Sequence, residues 1–264
     1  MNSKDQKNRN SPRDNAKRSG LARALSKFGY CSRSKAFELI RDGKVRVNGS
    51  VVRNPEAPVR LGRDRISVEG KPLTAAEKIY VMMNKPRGVV TTALDEKGRE
   101  TVYSRLPQEM RWIAPVGRLD LASEGMLLFT NDSEWAAKIT DPESHLDKTY
   151  HVQVGSVPES RLIEALERGV ETPQGETLKA KEARVLRVGQ KNGWLEIVLD
   201  EGKNRQIRRM LDGLGIEVLR LIRVAIGPVP LGELTKGAHR TLRSEEKTAL
   251  DRAMKLRRDC PTDG

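Results

Sequence analysis

Apolar residues recur at helical spacing in two segments near the start of the chain. Leu21, Ala24, Leu25 and Phe28 lie on one face of a predicted helix that ends close to Gly29. A second helix is predicted to begin after Ser32, a suitable N-cap, and to end at Gly43. Its apolar stripe consists of Ala36, Phe37, Leu39 and Ile40.

An alternating pattern follows these helices. Val45 and Val47 alternate with basic residues, and Asn48-Gly49 is a favoured two-residue hairpin turn. The pattern predicts a small helix–helix–hairpin domain over residues 20–73. Residues 1–19 lack apolar periodicity and are predicted to form a disordered basic arm. Polar residues within 71–78 are predicted to link this front domain to a second domain over residues 77–256, and residues 257–264 to form a flexible tail.

In the second domain, predicted strands outnumber predicted helices. Strands are predicted at residues 79–83, 88–92, 112–116, 126–130, 148–154, 183–188, 195–199 and 218–226. Helices are predicted at residues 133–140, 159–168, 204–214 and 244–256. Because strands and helices do not alternate one to one, the pattern predicts an α+β domain with a mixed, mainly antiparallel sheet flanked by helices.

The positive charge is concentrated at the front of the chain. Of the net charge of +13, ten units come from residues 1–70, which hold 17 Lys or Arg against seven Asp or Glu. Such a basic module is typical of docking to a polyanion, with nucleic acid favoured over an anionic lipid surface. The two cysteines, Cys31 and Cys260, and three histidines form no disulfide framework or metal-ligand motif. No apolar run is long enough to span a bilayer, and we expect an intracellular protein.

Several basic residues of the front domain are candidates for RNA contacts. Arg33 and Lys35 lie beside the positively polarised start of the second helix, and Lys44 and Arg46 lie on the hairpin. Together they can bind phosphates of folded RNA by shape and charge. The alternative is a basic helix face that is only solvated.

The loop between two apolar strands at residues 116–128 carries the leading candidate for chemistry. If the loop is locally extended, Arg118 and Asp120 project to the same side, and a neighbouring cation favours the ionised carboxylate. A loop salt bridge is the alternative reading. Glu124 is a second local carboxylate, and the pattern alone does not choose between it and Asp120.

Two further groups accompany this loop. Residues 201–210 follow a strand and open a predicted helix carrying Arg205, Ile207 and Arg208, which suits an RNA phosphate or a carboxylate partner. A solvated basic helix is the alternative. Tyr150, at the start of another strand, can stack on an extruded base, although a half-buried strand tyrosine is the more frequent case.

These motifs together resemble known families. Residues 32–36 and 43–49 resemble the alpha-L RNA-binding module, over roughly residues 20–70. The loop at 117–120, Lys148-Thr149-Tyr150, the helix start at 202–210, Asn84-Lys85-Pro86-Arg87-Gly88 and residues 220–224 resemble the RsuA-type ribosomal RNA pseudouridine synthases in order and spacing. The similarity spans about residues 20–245.

The resemblance implies roles for individual residues. Asp120 is the catalytic aspartate, Tyr150 the active-site tyrosine, and Arg208 the basic residue that pairs with the aspartate. Arg118 helps to hold or replace the flipped base. Arg205 and Ile207 are assigned to substrate binding.

The expected activity is isomerisation of a flipped-out uridine to pseudouridine in structured ribosomal RNA. No metal or small-molecule cofactor is expected, and the sequence leaves open whether the aspartate attacks the ribose or removes a sugar proton. We expect a cytoplasmic monomer with no membrane partner. Two other functions remain as alternatives: a non-catalytic RNA-binding or ribosome-assembly factor, and a metal-dependent RNA hydrolase that uses Asp120 and Glu124.

Overall fold

The computed structural model describes residues 18–93, 95–110 and 112–256. The chain divides into two compact units, with the boundary between Ala76 and Glu77. The predicted tail at 257–264 and most of the predicted basic arm, residues 1–17, lie outside the described residues.

The front unit contains both predicted helices and the predicted hairpin. Its elements are β1 (Arg18–Gly20), α1 (Leu21–Lys27), α2 (Arg33–Arg41), β2 (Val45–Val47), β3 (Ser50–Val51), β4 (Pro58–Arg60), β5 (Ile66–Val68) and β6 (Lys71–Pro72). Ser32 caps α2 as predicted, since its hydroxyl accepts from the Lys35 amide at 3.2 Å. Asn48 and Gly49 both have positive φ, 51° and 87°, as a tight hairpin turn requires.

The two ends of the front unit differ from the prediction. Arg18 and Ser19, predicted to belong to the disordered arm, pair with Arg60 and Val59 in a two-stranded sheet. Lys71 and Pro72, placed in the predicted linker, instead pair with β5 in the sheet ordered β3-β2-β5-β6. Both strands are only two or three residues long, too short to give a periodic apolar signal.

The second unit is built around one large sheet. Its elements are β7 (Tyr80–Lys85), β8 (Ala114–Val116), β9 (Glu124–Thr130), α3 (Ser133–Thr140), β10 (Lys148–Val154), α4 (Ser160–Arg168), β11 (Val170–Glu171), β12 (Thr177–Leu178), β13 (Glu182–Val188), β14 (Gly193–Leu199), α5 (Gln206–Gly213), β15 (Val218–Ile226), β16 (Val229–Pro230), β17 (His239–Thr241) and α6 (Ser244–Leu256). Three short 3-10 helices lie at Val102–Arg105, Gln108–Met110 and Pro142–Ser144.

The main sheet runs in the order β13-β14-β10-β15-β9-β7-β17, with β16 paired to β15 and β8 paired to β9. The β15–β9 pair is parallel, while the other neighbours are antiparallel. The predicted α+β class with a mixed, mainly antiparallel sheet is therefore confirmed. Helices α4 and α5 contribute to one apolar cluster and α3 and α6 to another, so the helices cover the sheet in two places.

Residues 88–92, predicted as a strand, do not form one. Val90 makes an isolated bridge to Thr101, and its amide donates to the Glu100 carbonyl at 2.9 Å. The β-branched residues that suggested a strand instead anchor a loop, in which Val89 is buried and Thr91 bonds to Leu119. Side-chain preference alone does not provide the neighbouring strand that a ladder needs.

The pairing between β9 and β15 is the short, narrow point of the main sheet. Only two residue pairs join these strands, Ile222 with Glu124 and Arg223 with Gly125. A Cβ on Gly125 would overlap the Arg223 backbone, and Gly125 has φ of 101°, so this close approach requires glycine. The loop that leads into β9 therefore lies next to the middle of β15, where the candidate site is found.

Candidate active site

A cavity of about 310 Å³ opens beside the narrow β9–β15 contact. Its wall comes from the loop before β9, from β10, from the turn before α5 and from β15. The predicted site residues in this wall are Arg118, Asp120, Tyr150, Arg205 and Ile207. The fold thus brings together residues up to 89 positions apart, from 118 to 207, in one recess.

Asp120 lies on a loop whose backbone is held by hydrogen bonds from the Lys85 side chain. The Lys85 side chain is fully buried at the end of β7, and its Nζ donates to the carbonyls of Pro86 at 3.1 Å, Asp120 at 3.1 Å and Ser123 at 2.8 Å. Burial lowers the pKa of Lys85 to about 8, although the negative charges of Asp120 and Glu124 act in the opposite direction. One cation therefore binds two carbonyl groups of this loop, those of Asp120 and Ser123.

A second contact fixes the residue before Asp120. The Thr91 hydroxyl donates to the Leu119 carbonyl at 2.8 Å and lies 3.3 Å from the Leu119 amide as an acceptor. Gly117, at the start of the loop, has φ of 72°. These contacts hold the backbone of Leu119 and Asp120 in place.

Among the described residues, the ion pair with the Asp120 carboxylate is made by Arg205 and not by the predicted Arg208. Arg205 Nη1 lies 3.8 Å from Asp120 Oδ2, and the two side chains are 52% and 36% exposed. The predicted helix included Arg205, but in the structure Arg205 precedes α5 as its N-cap residue, with φ of 50°. This left-handed conformation turns the chain sharply between β14 and α5.

Arg208 supports the loop from the first turn of α5. Its Nη2 donates to the Ala122 carbonyl at 3.1 Å, and its half-buried side chain has a pKa below the usual value because of burial and the nearby positive charge of Arg205. The Asp120 charge opposes this shift, so the two groups interact electrostatically. Among the described residues, however, the ion pair within 4 Å of Asp120 comes from Arg205.

Glu124, the alternative carboxylate, lies outside the cavity wall. Its side chain is 4% exposed and accepts two hydrogen bonds from Arg220, at 3.1 and 3.2 Å, and an ion pair from Lys236. Burial alone raises the pKa of this carboxyl, but the bonds from Arg220 and Lys236 outweigh burial and lower it. Glu124 is already neutralised by partners, whereas the half-exposed Asp120 carboxylate faces open space.

The other predicted residues of this unit line the cavity in different ways. Tyr150 is half-buried on β10 and packs against two apolar clusters, so its ring is firmly placed. Ile207 is buried at the start of α5. Arg118 is exposed, and it lines both this cavity and an adjoining recess of about 440 Å³ around residues 90–99.

The candidate cations of the front unit are all exposed on its own surface. Lys35 pairs with Glu38 at 2.8 Å, and Lys44 pairs with Glu69 at 3.4 Å. Arg46 donates to the Gly49 carbonyl at 2.9 Å. Arg33 lines a shallow surface recess on α2.

The sequence motifs indicated no individual role for Lys85, Thr91 or Arg223. A signal was present for Lys85, since Val81, Met83 and Lys85 share one face of β7 and all are buried. A charged residue in an apolar register is a candidate for an internal partner. Arg223 likewise shares one face of β15 with the buried Leu221, and it is buried too. Thr91 gave no such signal.

No group of three or more His, Cys, Asp or Glu side chains in the described part of the chain is arranged to hold a metal ion. Within the same residues, the helices are too short or too polar to cross a bilayer.

Comparisons with known proteins identify the family of both units. The sequence profile of RNA pseudouridylate synthases matches residues 79–212, and that of the S4 domain matches residues 20–66. The ribosomal large subunit pseudouridine synthase B of Bacillus subtilis is 39% identical over 236 residues, covering 87% of this chain and 94% of the relative. An uncharacterized RNA pseudouridine synthase of Aquifex aeolicus is 37% identical, covering 88% and 94%.

A solved structure supports the same family assignment. A crystal structure described as a pseudouridylate synthase is 30% identical, with a TM-score of 0.63, and covers 88% of this chain and 99% of its own. The resemblance inferred from the sequence motifs is confirmed. The chain belongs to the RNA pseudouridylate synthase family and carries an S4 domain in front of the synthase domain.

Proposed function

We propose that this enzyme isomerises uridine to pseudouridine in structured ribosomal RNA, with Asp120 as the catalytic carboxylate. The observation that carries the proposal is the contrast between two acids four residues apart. Asp120 is half-exposed in the cavity wall near Tyr150, and Glu124 is buried and bound by Arg220 and Lys236. Only the first is available to a substrate.

The relatives support ribosomal RNA as the substrate, because the Bacillus subtilis protein is named for the large ribosomal subunit. A base in a folded RNA is hidden, so the uridine must be flipped out, at a cost of a few kcal/mol. A cavity of about 310 Å³ is at the small end of ligand pockets, which range over about 300–1,000 Å³. It therefore suits one nucleoside.

The reaction exchanges one bond for another. The bond from ribose C1′ to uracil N1 breaks, the base turns, C1′ joins C5, and the C5 proton leaves while N1 gains a proton. Asp120 either attacks the ribose or removes a neighbouring sugar proton, and both routes are compatible with its half-exposed position. Arg205 and Arg208 provide positive charge beside it, and Tyr150 stacks on the base.

Binding and chemistry are assigned to different residues. Arg33, Lys35, Lys44 and Arg46 bind RNA phosphates, and the binding energy offsets the cost of flipping. Arg118 fills the place of the flipped base or holds it. Ile207 packs against the nucleoside. We also propose that the enzyme works as a monomer in the cytoplasm, the compartment that contains a ribosomal RNA substrate.

Release of tritium from ribosomal RNA tests the function. RNA transcribed with uridine labelled at C5 should lose tritium to water when the purified chain is added, equally with and without EDTA. A non-catalytic RNA-binding factor would bind the same RNA without releasing tritium. A metal-dependent hydrolase would shorten the RNA and would be stopped by EDTA.

A further inference from the structure

Arg223 is a buried cation whose hydrogen-bonding capacity is mostly unused. Its side chain lines the cavity and is 7% exposed. Nε donates to the Met126 carbonyl at 2.7 Å, while the buried Nη2 has no acceptor among the described residues. Three residues earlier on the same strand, Arg220 is bound by both oxygens of Glu124. Within the described part of the chain, Arg223 has no carboxylate partner of this kind.

The fold holds Arg223 firmly in this position. It pairs with Tyr150 of β10 on one side and with Gly125 of β9 on the other, at the narrow point of the sheet. The bond from Nε to the Met126 carbonyl limits rotation of the side chain. An unpaired buried charge is costly to a protein, and such groups cluster at sites where a ligand completes the pairing.

The reaction creates a charge that suits this guanidinium. When the bond from C1′ to N1 breaks, its electron pair stays on uracil, and the negative charge is shared among N1, O2 and O4. A guanidinium has only donors, so it matches a carbonyl oxygen and favours the charged base over the neutral one. Preorganised donors of this kind act mainly on the transition state.

We propose that Arg223 is a catalytic residue that donates a hydrogen bond to O2 or O4 of the flipped uracil and stabilises the base while it is detached from C1′. This assignment rests on the proposed function. Both routes for Asp120 detach the base, so the role of Arg223 is the same in either. A contact to O4 would also select uridine over cytidine, which carries an amino group at that position.

The test combines protein variants with single-atom changes in the RNA. The substrate is a ribosomal RNA fragment that contains a uridine modified by the unaltered enzyme, prepared with uridine, 2-thiouridine or 4-thiouridine at that position. Single-turnover rates are measured for the unaltered enzyme, Arg223→Gln and Arg223→Lys. Arg184→Gln serves as the matched control, because this arginine lies in the same sheet, is 69% exposed and is not in the cavity wall.

Arg223→Gln should lower the single-turnover rate on the uridine substrate about 100-fold, with RNA affinity within about threefold, and Arg223→Lys should retain part of the rate. Arg184→Gln should stay within about twofold. Sulfur at the contacted position should slow the unaltered enzyme about tenfold but change the Arg223→Gln rate much less, since the partner is already missing.

Each other outcome overturns the assignment. Normal rates in both Arg223 variants would overturn it. Sulfur effects at O2 and O4 that are the same in Arg223→Gln as in the unaltered enzyme would also overturn it. A merely structural role for Arg223 predicts this second result, because the substitution and the sulfur would then lower the rate independently. If Arg223→Gln does not fold by circular dichroism, Arg223→Lys replaces it, and its sulfur effect should differ from that of the unaltered enzyme because its donor geometry differs; identical sulfur effects would overturn the assignment. Failure of the unaltered enzyme to release tritium from any ribosomal RNA would instead refute the proposed function, and Arg223 with it.

Discussion

The cations of the front unit and those around Asp120 differ in how far water reaches them. In the front unit, the Lys35 and Lys44 side chains are 59% and 47% exposed, and each pairs with a surface glutamate. In the synthase unit, Lys85 is fully buried and Arg223 is 7% exposed. Water and salt screen an exposed charge, whereas a buried charge interacts strongly with its neighbours.

This difference separates two tasks. Exposed cations can bind many phosphates weakly and without dependence on the RNA sequence, which suits docking. Buried cations are placed by the backbone to within a fraction of an ångström, which suits stabilisation of one reacting group. The comparison predicts that changes at the first set alter affinity and that changes at the second set alter rate.

The largest effect is expected from Asp120→Asn. The amide is isosteric but cannot act as nucleophile or base, so the single-turnover rate should fall at least about 10³-fold, equivalent to about 4 kcal/mol. RNA affinity, measured by filter binding, should stay within about threefold. Asp212→Asn, an exposed change on α5, is the matched control. A near-normal rate for Asp120→Asn would place the chemistry elsewhere.

Lys85→Met should have the next largest effect. Methionine fills the buried space but leaves the carbonyls of Pro86, Asp120 and Ser123 without their donor. We expect about a 100-fold lower rate, faster amide exchange over residues 117–123 and little change in RNA affinity. Lys138→Met, on the exposed surface of α3, should be near normal. Unchanged amide exchange in the loop would argue against the role given to Lys85.

Replacing the four front cations Arg33, Lys35, Lys44 and Arg46 with Gln should weaken RNA binding without slowing the bound complex. At about 0.5 kcal/mol for each exposed contact, affinity should fall about 30-fold near physiological salt. The slope of log affinity against log salt should drop by about 3. An unchanged slope, or a lower rate at saturating RNA, would contradict the division of tasks.

A smaller effect is expected from alkaline pH. Since the pKa of Lys85 is about 8 in the folded protein and 10.5 in its unperturbed form, the ammonium loses its proton above pH 8 and the loop loses a donor. The rate should fall about fivefold between pH 8 and pH 9, on a limb that Lys85→Met lacks.

Folding stability should change in the opposite sense over this range. Between pH 8 and pH 10.5 the unfolded chain binds more protons at Lys85, so this group makes the folded state more stable as pH rises. Thermal unfolding across the same range distinguishes local loss of the loop from general unfolding. A parallel fall in activity and stability would point to the latter.

Much of the fold could be predicted because long elements leave a periodic signal. The helices Ser133–Thr140 and Ser244–Leu256 and the strands Lys148–Val154 and Val218–Ile226 have the predicted bounds. The segment at 88–92 was wrong because β-branched residues favour strands whether or not a partner strand is near. Strands of two or three residues, such as β6 and β17, depend on tertiary pairing that no local pattern records.

The structure brings the predicted site residues of the synthase unit close together, but it changes one predicted ion pair. Motif order brought Asp120, Tyr150 and Arg208 to attention, and all lie in one region of the synthase unit. That Arg205 and not Arg208 lies nearest the carboxylate depends on one left-handed residue before α5. The choice between Asp120 and Glu124 required knowing where Arg220 and Lys236 lie in three dimensions.

The central claim is that this chain makes pseudouridine in ribosomal RNA through Asp120, and carbodiimide-based mapping in cells tests it most directly. Ribosomal RNA is compared from a strain lacking the protein and from the same strain supplied with either the unaltered chain or Asp120→Asn. The account predicts at least one pseudouridine that only the unaltered chain restores. Identical maps in all three strains, or restoration by Asp120→Asn, would contradict it.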